Sequence, residues 1–310
     1  MILTALKSGI AQMWANKRLV LVFYLANLFF GLILMLPFRA AVSKFIGFSF
    51  MSEKLGQRFD MDFLFEFIKY GNISPSTIAG MMMITAAAYW LFMLFLSGGA
   101  FSIFANDEKY MPNLFWGSAA KYFGRFIRLA LWSLPVFAIL FCLQFLWTAI
   151  ERLFFGSDPY QYISYWGNWL KVGLRYISII LFGLVLDYAR VYTVQFNEHV
   201  MRKALWQGIK FIFSNLLQTF SLALLLFIIG AIAVAIYYPI ANILSAPYAF
   251  ILILLFLLQQ LYIFFRMMLR LTLYSSQLKL YRTLSSNQES DEVYSRNDMT
   301  DDLSMEGAVV

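Results

Sequence analysis

The feature that most constrains this chain is a succession of long apolar runs with almost no charge in them. Six stretches reach the length of about 20 mostly apolar residues that a helix needs to cross a bilayer, at 19–42, 78–105, 126–150, 172–194, 216–240 and 248–273. Inside lipid no water satisfies backbone N–H and C=O groups, so each run must close its own hydrogen bonds as a helix. Composition agrees. Hydrophobic residues make up 61% and charged residues 13%, against about 45–50% and about 25% in soluble domains. The sequence predicts an all-α, polytopic integral membrane protein with six transmembrane helices over 1–284, followed by an acidic, disordered cytoplasmic tail over 285–310. The first run follows Lys7, Lys17 and Arg18 as a signal peptide would. It is longer than the apolar core of about 7–15 residues that such signals use, and is expected to remain as helix 1. Pro37, Pro135 and Pro239 should kink or end their helices, since proline removes a backbone donor. The short 242–247 segment should join helices 5 and 6 as a tight antiparallel hairpin.

Charge gives the orientation. The net charge is +7, but the tail holds seven carboxylates against Arg296, leaving +13 on the body. These bases flank apolar runs, which suits an anionic membrane surface and not nucleic acid. With the N-terminus in the cytoplasm, 16 of 24 Lys and Arg residues fall on that side. The bias of basic residues toward the cytoplasm therefore places both termini inside. On the other side, 45–70 contains the run from Phe63 to Tyr70, which reads as an interfacial helix. Tyr160, Tyr162, Tyr165, Trp166 and Trp169 read as an aromatic belt at the membrane boundary.

An internal repeat is the next signal. With an offset of 199 and no gap, Ala5, Leu6, Gly9, Ile10 and Asn16 fall on Ala204, Leu205, Gly208, Ile209 and Asn215. A second offset of 89 lays Lys121 on Lys210, and Gly98-Gly99-Ala100 on Asp187-Tyr188-Ala189. The inferred unit is a short amphipathic elbow helix followed by two spans, present three times. Each unit crosses an even number of times, so the three are parallel and not inverted. The elbows at 111–126 and 204–213 alternate aromatic residues with Lys121 and Arg125, or with Lys210 behind Arg202 and Lys203. That is the pattern of a helix lying in the membrane surface.

Ionisable side chains inside a span are costly and mark candidate sites. Asp187 is the one acid within the expected spans, and Arg190 lies three residues on, on the same helix face. Arg266 and Arg270 form a basic edge on helix 6, from which one of them is expected to reach Asp187. Asp187, Arg190, Arg266 and Arg270 are thus the candidate intramembrane polar site, either a structural ion network or a head-group site. Asp60, Asp62 and Glu66 are candidates for a divalent ion on the outer loop, although solvated loop carboxylates usually bind nothing. No phosphate-binding, dinucleotide, zinc-protease or serine-hydrolase motif is present. The lone histidine, His199, and the lone cysteine, Cys142, leave little material for a catalytic triad, a structural zinc site or an internal disulfide.

At Asp187-Tyr188-Ala189-Arg190 and Ala204-Leu205-Trp206-Gln207-Gly208, the chain resembles uncharacterised bacterial six-helix membrane proteins. It is also similar there to the membrane domain attached to some glycerophosphoryl diester phosphodiesterases. The resemblance spans 1–284. In those enzymes the chemistry belongs to a separate barrel domain with no counterpart in this sequence, so no catalytic residue is carried over. The resemblance implies an auxiliary, scaffold-like module of the bacterial inner membrane.

The leading expectation is therefore a non-enzymatic protein without cofactor or metal, which organises lipid or a partner protein through its elbows or acidic tail. The alternative is a transporter or permease-like subunit. Its path would run near helices 2, 4 and 6, with Gly98 and Gly99 at the inner mouth beside Asp187 and Arg190. A lipid-modifying enzyme would have to use Asp187 or the loop acids.

Overall fold

The computed structural model describes the backbone over 1–47, 61–70, 75–156, 160–244 and 249–306. The side chains of 287–306 lie outside the described set, and with them nearly all of the acidic tail. The described residues form helices and connections, with no strand among them. In chain order the helices are α1 (Ile2–Ala15), α2 (Lys17–Ile46), α3 (Met61–Tyr70), α4 (Pro75–Ala105), α5 (Pro112–Phe155), α6 (Gln161–Gln195), α7 (Met201–Ser214), α8 (Leu216–Ile243) and α9 (Ala249–Glu306). Six of them, α2, α4, α5, α6, α8 and α9, are long and apolar enough to cross a membrane. This is the architecture of a multi-pass integral membrane protein. In the most apolar stretch of α9 only 6% of residues are buried within the protein, so lipid must cover the remainder.

Two short helices stand at one end of the bundle, and the residues that end them do so in the same way. At Asn16 the backbone N–H donates to Gln12 and Met13 while the side-chain amide donates to the Gln12 carbonyl at 3.1 Å. At Asn215 the backbone N–H donates to Phe211 and Ile212, and the side chain to the Phe211 carbonyl at 3.2 Å. Asparagine satisfies the last carbonyls of one helix with its own amide. It thereby separates α1 from α2 and α7 from α8. The segment expected as an elbow at 111–126 differs, because it runs unbroken into its span as part of the 44-residue α5. No asparagine or proline stands at that junction, and the helix has no reason to break.

The helices also outrun the sequence-based spans. Pro37, Pro135 and Pro239 sit inside α2, α5 and α8 and end none of them. The last helix continues past 273, where apolarity falls, because Tyr274, Leu278, Leu280, Tyr281 and Leu284 are buried against protein. Next to the far end of α2, helix α3 packs Phe63 and Phe67 on Phe45, with ring centroids 5.9 and 5.4 Å apart. Asp60 and the 242–247 turn fall wholly or partly outside the described residues.

The buried core lies at the elbow end. It joins Leu19 and Phe23 of α2, Phe101 and Phe104 of α4, Phe115 and Phe126 of α5, Tyr188 of α6, Phe211 and Ile212 of α7, and Leu271 and Leu278 of α9. Glycines let the elbows approach other helices closely. A methyl group at Gly208 would lie 2.9 Å from the Ala189 nitrogen and 3.0 Å from its Cα. A methyl at Gly9 would lie 2.9 Å from the Ser276 nitrogen. On α4, one at Gly99 would lie 2.6 Å from the Phe115 ring. Helices in lipid associate by such packing, since no hydrophobic force separates them from the solvent.

Gly208→Ala should therefore lower the melting temperature of the detergent-solubilised protein, at a cost of about 1–3 kcal/mol from forced overpacking. Gly117→Ala, on the same kind of segment but with nothing within 4 Å of the added methyl, should be neutral or gain up to about 1 kcal/mol in helix propensity. Equal melting of the two variants would show that the α6–α7 contact is not close-packed.

Candidate functional site

Three carboxylates organise the elbow end. Asp187 of α6 accepts from Arg190 at 3.2 Å, one turn away on the same helix. Its other oxygen accepts from Gln277 of α9 at 3.3 Å. Arg190 is 8% exposed, and its guanidinium lies 5.8 Å from the centroid of the Phe126 ring. The expected pairing with Arg190 is present, while the contact across the bundle comes from Gln277 and not from Arg266 or Arg270. Gln277 lies beyond the sequence-based end of helix 6, so a reading by span length could not see it. Tyr188 Oη, Arg190 Nε and Gln277 Oε1 are buried beside this pair without a hydrogen-bond partner among the described residues.

Asp107 follows α4 in a left-handed conformation, with φ of 53°. It accepts from Lys279 at 2.6 Å, Arg282 at 3.1 Å and Gln12 at 2.8 Å. Arg282 also donates to the Ala105 carbonyl, and Gln12 to the Phe104 carbonyl at 2.9 Å. Ser275 donates to Gln12 Oε1 at 2.5 Å. One residue of α1 thus bridges α4, the loop after it and α9. The same loop is held again where Asn16 accepts from the Tyr110 N–H at 2.7 Å. Partial burial pushes Asp107 upward, but the hydrogen bonds and charges of Lys279 and Arg282 outweigh it and hold the carboxyl below its usual value.

The loop before α7 is held in a comparable way. Asn197 has φ of 48°. Arg125 donates to the Asn197 side chain at 2.9 Å and lies 3.1 Å from His199 Nε2. Glu198 pairs with Lys203 at 2.9 Å and accepts from the backbone N–H groups of His199 and Val200. The bond from Lys203 and these backbone donors bring its pKa down to about 2.

Away from the elbows, α5 and α6 are joined by polar pairs that the sequence-based spans cut short. Gln144 accepts from Arg175 at 2.9 Å, Glu151 from Lys171 at 3.0 Å, and the Leu140 carbonyl from Ser178 at 2.7 Å. Glu151 therefore belongs to a helix that continues beyond the expected boundary at 150.

Arg266 and Arg270 line a cavity of about 630 Å³, together with Asn27, Tyr89, Ile180 and Phe220. Gly98 and Gly99 are buried under α5 and border none of the described cavities. A second cavity of about 890 Å³ lies between α5, α6 and α7, with Arg202 and Lys203 in an otherwise mostly apolar lining. Among the described residues no three His, Cys, Asp or Glu side chains come together as a metal site would require. Asp62 and Glu66 stand on α3, away from these cavities.

Comparison with known proteins finds no matching family, no matching curated protein and no matching solved structure.

Two measurements follow. Removing one member of a buried ion pair strands the other, at a typical cost of about 3–5 kcal/mol. Asp187→Asn should therefore depress the melting temperature more than Asp187→Asn combined with Arg190→Gln. For Asp107 the folded pKa lies below the usual 3.8. Its stabilisation is fully present above that value and is lost as pH falls through the lowered one. A melting series below pH 5 should show wild type converging on Asp107→Asn as the carboxyl protonates.

Proposed function

We propose that this chain is a non-enzymatic module of the bacterial inner membrane, with both termini cytoplasmic, that gathers lipid around a rigid elbow-end core. The observation that carries this reading is the cavity under α7. Its walls are apolar, from Pro135, Ile139 and Leu140 on α5 to Leu181 and Val185 on α6, and its two cations sit on the first turn of α7. Arg202 lies over Trp132 with 4.9 Å between guanidinium and ring centroid. A cation stacked on an indole beside an apolar slot suits the head and tail of an anionic lipid in the cytoplasmic leaflet.

Three glycine contacts support the three-unit reading of the sequence, and with it a scaffold. Gly9 meets α9 at Ser276, Gly208 meets α6 at Ala189, and Gly98 faces Ala119 on α5. The three helix positions concerned lie close to an 89-residue spacing. Each elbow segment packs on the elbow end of an even-numbered span, and α1 closes the ring by docking on the last one. Such a closed arrangement leaves the elbows as fixed parts of the frame, which suits a surface that orders lipid or a partner protein.

A permease-like subunit is the second reading, favoured by the cavity lined from α2, α4, α6, α8 and α9. On that reading flux should respond to Arg266 and Arg270.

Arg202→Gln with Lys203→Gln, and separately Trp132→Ala, should reduce co-purifying anionic lipid several-fold by native mass spectrometry, with little change in melting temperature. Unchanged lipid retention in both would remove the basis for the lipid-gathering role.

A further inference from the structure

The arginines of α9 are not accounted for by the cavity under α7. Arg270 donates from Nε to the Tyr274 hydroxyl at 2.9 Å and lies over the same ring. Both of these contacts are to a neutral group. Arg266 has no hydrogen-bond or ion-pair partner among the described residues, and its side chain opens into the 630 Å³ cavity. No carboxylate lines that cavity. Asp187, the acid that faces α9, is directly held by Arg190 and Gln277, and reaches Arg270 only through charge, without a hydrogen bond or ion pair.

Depth makes this arrangement costly without an anion. The elbow plane meets α9 at Ser276, where Gly9 docks. Arg266 is ten residues from it, toward the apolar N-terminal half of α9, or about 15 Å at 1.5 Å per residue. That exceeds what an arginine side chain spans, so snorkelling to the elbow surface does not solve the problem. A charged group at such depth needs a counter-charge or a wet cavity, and by default it marks a site.

The shape of the space identifies the ligand class. A further cavity of about 460 Å³ shares Asn27 and Tyr89 with the first and continues between α2 and α4 past Phe30, Gly31, Leu34 and Met82. Its lining carries no charge. At Gly31 nothing lies within 4 Å of the position a Cβ would take, so the slot is open there. A cationic chamber with an apolar slot leading away from it matches an amphiphile with an anionic head. A chamber of this volume is in the range of about 300–1,000 Å³ typical for whole small ligands, and is far larger than a bare phosphate requires.

We propose that this chamber binds the phosphate-bearing head of an anionic membrane lipid through Arg266 and Arg270, with an acyl chain lying in the slot between α2 and α4. Bidentate guanidinium contacts to phosphate oxygens supply the specificity, and Asn27 and Tyr89 supply neutral hydrogen-bonding groups at the junction of head and tail. This site is separate from the cavity under α7, and either can fail while the other stands.

The test uses the full chain in detergent, stripped of lipid and titrated with phosphatidic acid, phosphatidylcholine or soluble glycerol phosphate while native mass spectrometry counts bound ligands. Phosphatidic acid should bind at least tenfold more tightly than phosphatidylcholine. Arg266→Gln with Arg270→Gln should lose at least tenfold in that affinity, and Gly31→Leu, which fills the slot without touching either arginine, should lose a comparable factor. Arg202→Gln with Lys203→Gln should leave this site's affinity intact. Equal phosphatidic acid affinity in wild type and the double arginine variant would overturn the proposal. So would glycerol phosphate competing as well as the lipid, which would mean a free-anion site. Should the glutamine variants not fold, Gly31→Leu alone decides, since unchanged affinity there would exclude a tail in the slot.

Discussion

At Gly208 the backbone of α7 comes into van der Waals range of the backbone of α6 at Ala189, and at Gly9 the backbone of α1 does the same with α9 at Ser276. Everything polar at the elbow end depends on these contacts. Water-accessible surface helices would normally keep their distance from a membrane span, with side chains between. Here the missing side chains let α1 and α7 close over the ends of α9 and α6. Asp187, Arg190 and Gln277 are covered as a consequence, and Gln12 comes within reach of Ser275, Phe104 and Asp107 at once. A larger residue at either glycine would push the elbow outward and leave those polar groups half buried and half hydrated, the least favourable condition for them.

The two halves of the bundle are built on different principles. The elbow end is a packed aromatic and aliphatic core in which Phe23, Phe101, Phe104, Phe115 and Tyr188 have no exposed surface. The far half has few buried side chains, and its helices meet through polar pairs such as Glu151 with Lys171 and Gln144 with Arg175. Rigidity at one end and openness at the other is what creates cavities between α2, α4, α8 and α9 without loosening the frame that holds them. The proposed head-group chamber sits between these two regimes, just beyond the packed core.

Charge is unevenly resolved along this boundary. Three acids of the elbow end, Asp107, Asp187 and Glu198, each have a cationic partner within 3.2 Å. Of the cations on α9 facing the cavity, Arg270 feels Asp187 only at a distance, through charge and without a direct ion pair, and Arg266 has no acid against it. The ion pairs read as structural, because each ties a loop or a helix end to its neighbour. Arg266 is the charge on α9 that packing leaves without a counterpart among the described residues.

The sequence alone determined the number of long apolar helices, because the length and apolarity needed to cross a bilayer are local properties of the chain. It also placed Asp187 and Arg190 on one helix face, since a spacing of three fixes that, and it set Gly9 and Gly208 at one offset, while their close packing came only from the tertiary structure. The tertiary structure decided what local periodicity cannot encode. Whether an elbow separates from its span hung on a single asparagine at the junction, present at 16 and 215 but replaced by Phe126 at the matching point of α5. Where α9 ceases to be buried depended on α1 and α7 replacing lipid around it. Which residue crosses to Asp187 depended on the register of α9 against α6, which brought Gln277 to it and turned Arg266 and Arg270 toward a cavity. Apolar patterning records how far a segment must avoid water, but not which neighbour provides the shelter, and only packing fixes that choice.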